Sequence, residues 1–180
     1  MPSCEGCGHS VRQWFVLDIR AIPPLREKLP AWTLFPLLGC MDCMVWMGRL
    51  DYSVAADGLS VRLENTAFAT KQYGECFGHL PRIPKQYVEL AWVPPNLDPS
   101  QEEIDKACPW DRPQIAGSVW WTQQPCHVFC RSCRKVMMFV AAMASPTGFE
   151  PYIPINNGSG FQYHFACNAC RTISVIAQWT

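Results

Sequence analysis

The sequence predicts a mainly β protein, a β-rich α+β fold, and three observations predict it. Apolar and polar residues alternate with period two in several short stretches. Sixteen Pro and eight Trp in 180 residues favour many short extended segments with aromatic packing. Cys-x2-Cys pairs recur at both ends of the chain: Cys4 with Cys7 and Cys40 with Cys43, then Cys130 with Cys133 and Cys167 with Cys170. The intervals inside the two sets are nearly equal, 32 and 33 residues. Two such knuckles bring four thiolates together, the ligand set of a structural zinc site. The expected architecture is therefore a pseudo-symmetric duplication of two zinc-ribbon-like halves with antiparallel sheets and one short helix, holding two structural zinc ions. Residues 1–64 form the first half with its hairpin, 65–109 a connector with the short helix, and 110–180 the second half, in one compact unit.

The elements follow in order. Cys4 and Cys7, with Gly8, make a knuckle in which small residues let backbone amides turn around sulfur. Trp14 to Ile19 reads as a strand, ended by Pro23-Pro24, and Leu25 to Leu29 allows no more than a helical turn. Trp32-Thr33-Leu34-Phe35 runs extended into Cys40 and Cys43. Leu50, Tyr52 and Val54 alternate with Arg49, Asp51 and Ser53. Asp57-Gly58 follows as a hairpin turn with both central residues suited to positive φ, and Leu59, Val61 and Leu63 return. Between 65 and 99, aromatics interleave with Gly and Pro as an ordered connector. Ser100 with Glu103 makes a capping box for a helix reaching about Ala107, before Pro109. Val119-Trp120-Trp121-Thr122 looks strand-like. Val136 to Ala142 is continuously apolar, as in a strand buried on both faces. Phe161 to Ala166 is an aromatic strand. Ile173, Val175 and Ala177 mark the last one.

Charge and cysteine usage narrow the function. The net charge is zero and charged residues make up 17% of the chain, which argues against a dedicated nucleic-acid surface. No 18-residue apolar run predicts a membrane span, and no basic and apolar leader is visible at Met1-Pro2-Ser3. Eleven Cys without an export signal favour thiolate–zinc chemistry in the cytoplasm over a disulfide framework. Cys76, Cys108 and Cys126 fall outside the ligand scheme as small buried residues. His9, His127 and His164 lie beside knuckles, where a His is more often a neighbour than a ligand. The basic residues Arg131, Arg134, Lys135 and Arg171 read as compensation for a zinc–tetrathiolate charge of about −2.

Catalytic signatures are missing from the sequence. There is no His-Glu-x-x-His, no Gly-x-Ser-x-Gly and no phosphate-binding Gly loop, and no His is followed by Glu at the deaminase spacing. Asp18, Asp51 and Asp57 have no partner carboxylate nearby in sequence and read as exposed. A fully occupied four-thiolate site has no open position for water and acts as structure. The expectation is a chain that is not an enzyme. Trp92, Trp110, Trp120 and Trp121 are the candidate anchors for a protein partner, although core packing is the commoner role of Trp.

The segments Ile115-Ala116-Gly117-Ser118-Val119-Trp120-Trp121-Thr122-Gln123, Cys130-Arg131-Ser132-Cys133, Met138-Phe139-Val140 and Gly158 to Cys167 together resemble the YwqG-like family, which is related to programmed cell death protein 2. That family shows Ile-Gly-Gly-x-Pro-x-Trp-Ile-Gln, Cys-x-x-Cys-Gly, Met-x-Phe-Leu, a Gly-rich segment, Tyr-x-Phe-x-Cys and a final Trp-Gln. Gly117, Trp121, Gln123 and the knuckle pair fit. Ala116, Val119 and Arg134 depart, and Gln178-Trp179 is reversed. The match spans about residues 110–180. The resemblance implies a duplicated β-rich fold without known catalysis. It points to a bacterial immunity protein that binds and neutralises a cognate toxin. The other expectations are a chaperone for a ribosomal protein and a zinc-ribbon nucleic-acid-associated factor.

Overall fold

A computed structural model of the chain describes residues 11–39, 49–58, 60–64, 114–119, 121–144 and 160–179. Within them the protein is mainly β, with two antiparallel sheets and one short α-helix. The expected helix over 100–107, the connector, and the knuckle residues Cys4, Cys7, Cys40 and Cys43 lie outside the described residues.

Strand β1 (Arg12–Asp18) pairs with β2 (Leu34–Gly39) as a two-stranded sheet. β1 ends before Ile19. Asp18 turns the chain there by accepting the Arg20 amide at 3.0 Å, which opens a 3-10 turn over Ile19–Ala21. Pro23 and Pro24 then start α1 (Pro23–Lys28) rather than merely closing a strand, because the first helical positions need no N–H. Leu25 and Leu29 bury the inner side of this helix, while Arg26 and Lys28 sit in its last turn. Gly39 ends β2 in a close approach. A Cβ there would lie 2.6 Å from Gln162 Oε1 and 2.8 Å from Trp14 Nε1.

The larger sheet runs β4-β3-β8-β7-β6-β5. Its strands are β3 (Arg49–Val54), β4 (Val61–Leu63), β5 (Gln114–Ile115), β6 (Met138–Ala144), β7 (Gly160–Cys167) and β8 (Thr172–Trp179). β3 of the N-terminal segment pairs directly with C-terminal β8, Leu50 opposite Val175 and Tyr52 opposite Ile173. β1 and β2 pair as β6 and β7 do, but β3 joins β8. The two sheets are thus unequal, with two and six strands.

The central strands are buried on both faces, the few polar side chains among them included. On one face Leu50, Tyr52, Ile173, Val175 and Ala166 pack with Phe35, Leu37, Leu38, Leu25 and Trp32 of the N-terminal layer. On the other, Phe161, Tyr163, Phe165 and Cys167 pack with Val128, Cys130 and Met137 of the segment before β6. A bulge between Phe139 and Ala141 turns Val140 and Ala141 toward the same face, which lets β6 serve both clusters.

Two expected elements differ. The turn after β3 is longer than a two-residue hairpin. Ala55 N–H donates to Ser60 C=O at 2.8 Å, and only Gly58 among the described turn residues takes positive φ, +75°. Asp57 acts through its carboxylate, which accepts the Ser60 amide at 2.8 Å. The described residues of the expected strand 119–122 lie in no strand, and 122–124 are bends. Their amides go to side chains: Thr122 N–H to Tyr163 Oη at 2.9 Å and Gln123 N–H to Gln178 Oε1 at 3.1 Å. No helix among the described residues is long and apolar enough to cross a membrane.

Candidate metal centre

Cys130 and Cys133 occupy the turn of a hairpin closed by the Phe129–Val136 bridge. Cys167 ends β7, and Cys170 lies in the turn leading to β8. The sheet thereby brings two knuckles to one end of its second face. All four sulfurs lie within 4.8 Å of one another, and Cys133 Sγ is 3.6 Å from Cys167 Sγ. A tetrahedron with metal–sulfur bonds of about 2.3 Å has edges of about 3.8 Å. The cluster therefore needs only a small contraction to hold one metal ion. These Cys form no disulfide. Cys130 and Cys167 are buried, whereas Cys133 and Cys170 are half-buried.

Backbone geometry explains how the turn can be this tight. Cys130 N–H donates to Lys135 C=O at 2.8 Å, and Arg134 N–H donates back to Cys130 C=O at 2.9 Å. The residue after each second Cys enters the left-handed region: Arg134 at φ 61° and Arg171 at φ 50°. Gly suits that position best, and a side chain there costs about 1 kcal/mol. Arg171 has compensation. Its guanidinium donates to the carbonyls of Ala31 and of Ala55 (2.9 Å) and lies 5.1 Å over the Trp32 ring. Asn168 Oδ1 accepts the Ala31 amide at 3.0 Å. The second knuckle is thus bolted to the N-terminal layer.

The thiols polarise one another. Burial pushes the Cys130 thiol up, but the Thr172 hydroxyl (3.3 Å) and the amides of Cys133 and Ser132 outweigh it, and the value falls to about 6. Burial raises Cys167, and hydrogen bonding to Cys133, then burial, pushes Cys170 up to about 12. The Cys130 thiolate forms readily while Cys167 and Cys170 resist, which is what close sulfurs do without a cation between them. A divalent metal supplies the missing charge.

Of the cations expected to offset that charge, two are committed elsewhere. Arg171 serves carbonyls, and Arg131 Nε lies 2.5 Å from Asp51 Oδ2. Asp51 is the residue that sequence reasoning misplaced. It is 5% exposed rather than solvated. Its Oδ1 accepts Arg49 Nε at 2.9 Å and the Ser174 hydroxyl, and Arg49 Nη2 reaches on to the Phe129 carbonyl at 2.7 Å. A buried carboxylate on β3 therefore holds the first knuckle against the sheet. Asp18 and Asp57 do local work in turns, as described above.

The remaining candidates separate cleanly. His164 faces away from the sulfurs, because β7 alternates and Cys167 is three residues on. It is buried, with Nε2 2.9 Å from the Leu38 carbonyl, tying β7 to β2. His127 is exposed beside Phe129, with ring centroids 6.4 Å apart. Cys126 is exposed rather than a small buried residue. Trp121 packs on Tyr163 (5.0 Å) and Phe165 (5.8 Å), the core role of a Trp. His9, Cys76, Cys108, Trp92, Trp110 and Trp120 lie outside the described residues. Ala116, at the position where the resembling family has Gly, takes φ 61°, with its amide bonded to Val140 C=O at 2.8 Å.

His164 predicts a pH effect. Burial holds its imidazole near 4, below the ordinary 6.5. Between those values the unfolded chain binds a proton that the folded chain refuses, so stability falls as pH drops from about 6.5 toward 4. The full loss is about 3 kcal/mol. Urea midpoints of the wild type and of His164→Gln, measured over pH 4–7, should diverge, with the wild type losing more toward acid; protonation of the thiols affects both alike. Parallel profiles would contradict the assignment.

No family model, no curated protein and no solved structure matches this chain.

Proposed function

We propose that Cys130, Cys133, Cys167 and Cys170 hold one structural zinc ion in a non-enzymatic protein-binding protein of the cytoplasm. The observation that carries this reading is the four-sulfur cluster, with every sulfur within 4.8 Å of the others. An all-thiolate set fills every position of a tetrahedral ion, so the metal props the surface around it and offers no place for a substrate. A second zinc is proposed for Cys4, Cys7, Cys40 and Cys43 on their spacing alone. The diversion of Arg131 to Asp51 and of Arg171 to carbonyls leaves little clustered positive charge, which favours a protein partner over nucleic acid. The partner put first is a cognate toxin, as the resemblance of residues 110–180 to the YwqG-like family implies.

Elemental analysis of the protein purified without added metal tests the centre. Two zinc per chain is the expected result, and one would restrict metal to the C-terminal cluster. Folded protein with four reactive thiols at Cys130, Cys133, Cys167 and Cys170 and no metal ends the zinc reading. Coexpression with the product of the adjacent gene tests the partner. Restored growth of cells poisoned by that product supports the immunity reading, and unchanged toxicity removes it.

A further inference from the structure

Among the described residues the exposed large apolar side chains are Val16, Phe129 and Val136. Two of the three meet. Phe129 and Val136 are directly opposed across the first knuckle hairpin, so both project from the same side of it. They are 47% and 61% exposed. His127, two residues before Phe129, lies beside it on the same arm of the hairpin, with ring centroids 6.4 Å apart. A single exposed apolar residue is ordinary, but an opposed pair on a braced turn is a different matter.

The bracing is extensive. Met137 N–H donates to Val128 C=O at 2.7 Å, Cys130 N–H to Lys135 C=O at 2.8 Å, and Arg49 holds the Phe129 carbonyl. The inner side chains of the hairpin, Val128, Cys130 and Met137, are buried in the second cluster. The outward pair is therefore displayed on a backbone with little freedom left to lose on binding. Beside it Arg134 and Lys135 are exposed and form no ion pair among the described residues, while Arg131 is held by Asp51.

We propose that this outer face, Phe129 and Val136 flanked by Arg134 and Lys135, is a docking surface for an acidic protein partner. The matching site is an apolar pocket rimmed by carboxylates. The apolar pair enters the pocket as the anchor, and the two cations steer the approach and meet the acidic rim. One aromatic ring and two unpaired cations are too few for a single-stranded nucleic-acid groove, which stacks successive bases along a positive track. The inference rests on the protein-binding reading above and gives it a place on the molecule.

The test uses the full chain with its metal, the purified adjacent-gene product as protein probe, and a 30-nucleotide single-stranded RNA as the second probe. Phe129→Ser with Val136→Ser should weaken protein binding by about 30-fold. Arg134→Glu with Lys135→Glu should slow association by about tenfold and flatten its salt dependence. The Phe129→Ser, Val136→Ser variant should keep the wild-type metal content and melting temperature, since these side chains point outward; the charge-reversed variant is compared at matched metal occupancy, because Arg134 and Lys135 also flank the thiolate cluster. Protein binding within twofold of wild type in both variants overturns the surface and leaves the protein-binding reading intact. A wild-type chain that binds RNA, or neither probe, overturns both.

Discussion

Cys130→Ser is expected to release the metal of the C-terminal cluster and to lower the unfolding free energy by at least about 4 kcal/mol, a loss of the size seen when a metal site is destroyed. Binding to a structural zinc site is worth about 10–16 kcal/mol, against about 5–15 kcal/mol for the whole stability of a domain. Here the coupling is tight because the two knuckles come from separate segments that meet only at one end of the sheet. Cys130 belongs to the hairpin packed on the second face, and Cys167 ends the central strand β7. Without the ion, these segments are joined at the sulfurs only by thiols that repel once ionised. The positions should not be equivalent. Cys130 and Cys167 are buried, so water cannot take their place on the metal; Cys133 and Cys170 are half-buried, and water can. Ser at Cys133 or Cys170 should therefore lose less affinity than Ser at Cys130 or Cys167. Urea melts with and without a chelator read this directly. The chelator should shift the wild type strongly and Cys130→Ser hardly at all, and equal midpoints for the two proteins would refute the coupling.

The part of this site that was legible beforehand is the part encoded locally. A Cys-x2-Cys spacing brings two sulfurs together within one turn, and two copies suffice to name the four Cys that the fold gathers, Cys130, Cys133, Cys167 and Cys170. Period-two patterning similarly marked β3, β4 and β8, aromatic content marked β7, and the unbroken apolar run marked β6 as a strand covered on both faces. What was not legible depends on contacts between residues distant in the chain. Asp51 reads as exposed because its neighbours in sequence are a Tyr and a Leu on the opposite face. Only the pairing of β3 with β8, and the return of the hairpin at 129–131, surrounds it with Ser174, Arg49 and Arg131. Val119, Trp121 and Thr122 carry strand-forming side chains, yet Tyr163 takes the Thr122 amide and Gln178 the next one, which leaves no ladder to join. The left-handed Arg134 and Arg171 are likewise invisible to a rule that looks for Gly after a knuckle. For Arg171 the signal lies in the Ala31, Ala55 and Trp32 groups that receive it.

Asp51→Ala should destabilise the protein by about 3 kcal/mol and, in the same molecule, speed metal loss. Removing one member of a buried ion pair costs about 3–5 kcal/mol, because the partner charge stays behind without its counter-ion. The lower end applies here, since the Arg49 side chain is 28% exposed and the Arg131 side chain 51%. Both can turn partly toward water, and the half-exposed Arg131 pair contributes little by itself. The larger consequence is mechanical. Asp51 orients Arg49, whose Nη2 holds the Phe129 carbonyl one residue before the ligand Cys130. Asp51 also receives Arg131, one residue after that ligand. Without the carboxylate, the backbone on both sides of Cys130 loses its tether to β3. The sulfur is then held by the metal and the hairpin alone. A double-mutant cycle separates the two arms. Asp51→Asn with Arg49→Met should show coupling of about 2 kcal/mol, and Asp51→Asn with Arg131→Met less than about 1 kcal/mol. Chelator-driven metal release, followed by stopped flow, should quicken in Asp51→Ala but stay at the wild-type rate in Asp57→Ala, whose carboxylate accepts the Ser60 amide in the turn after β3. Equal release rates in Asp51→Ala and the wild type would mean that the knuckle keeps its shape unaided, and that the buried carboxylate serves the sheet alone.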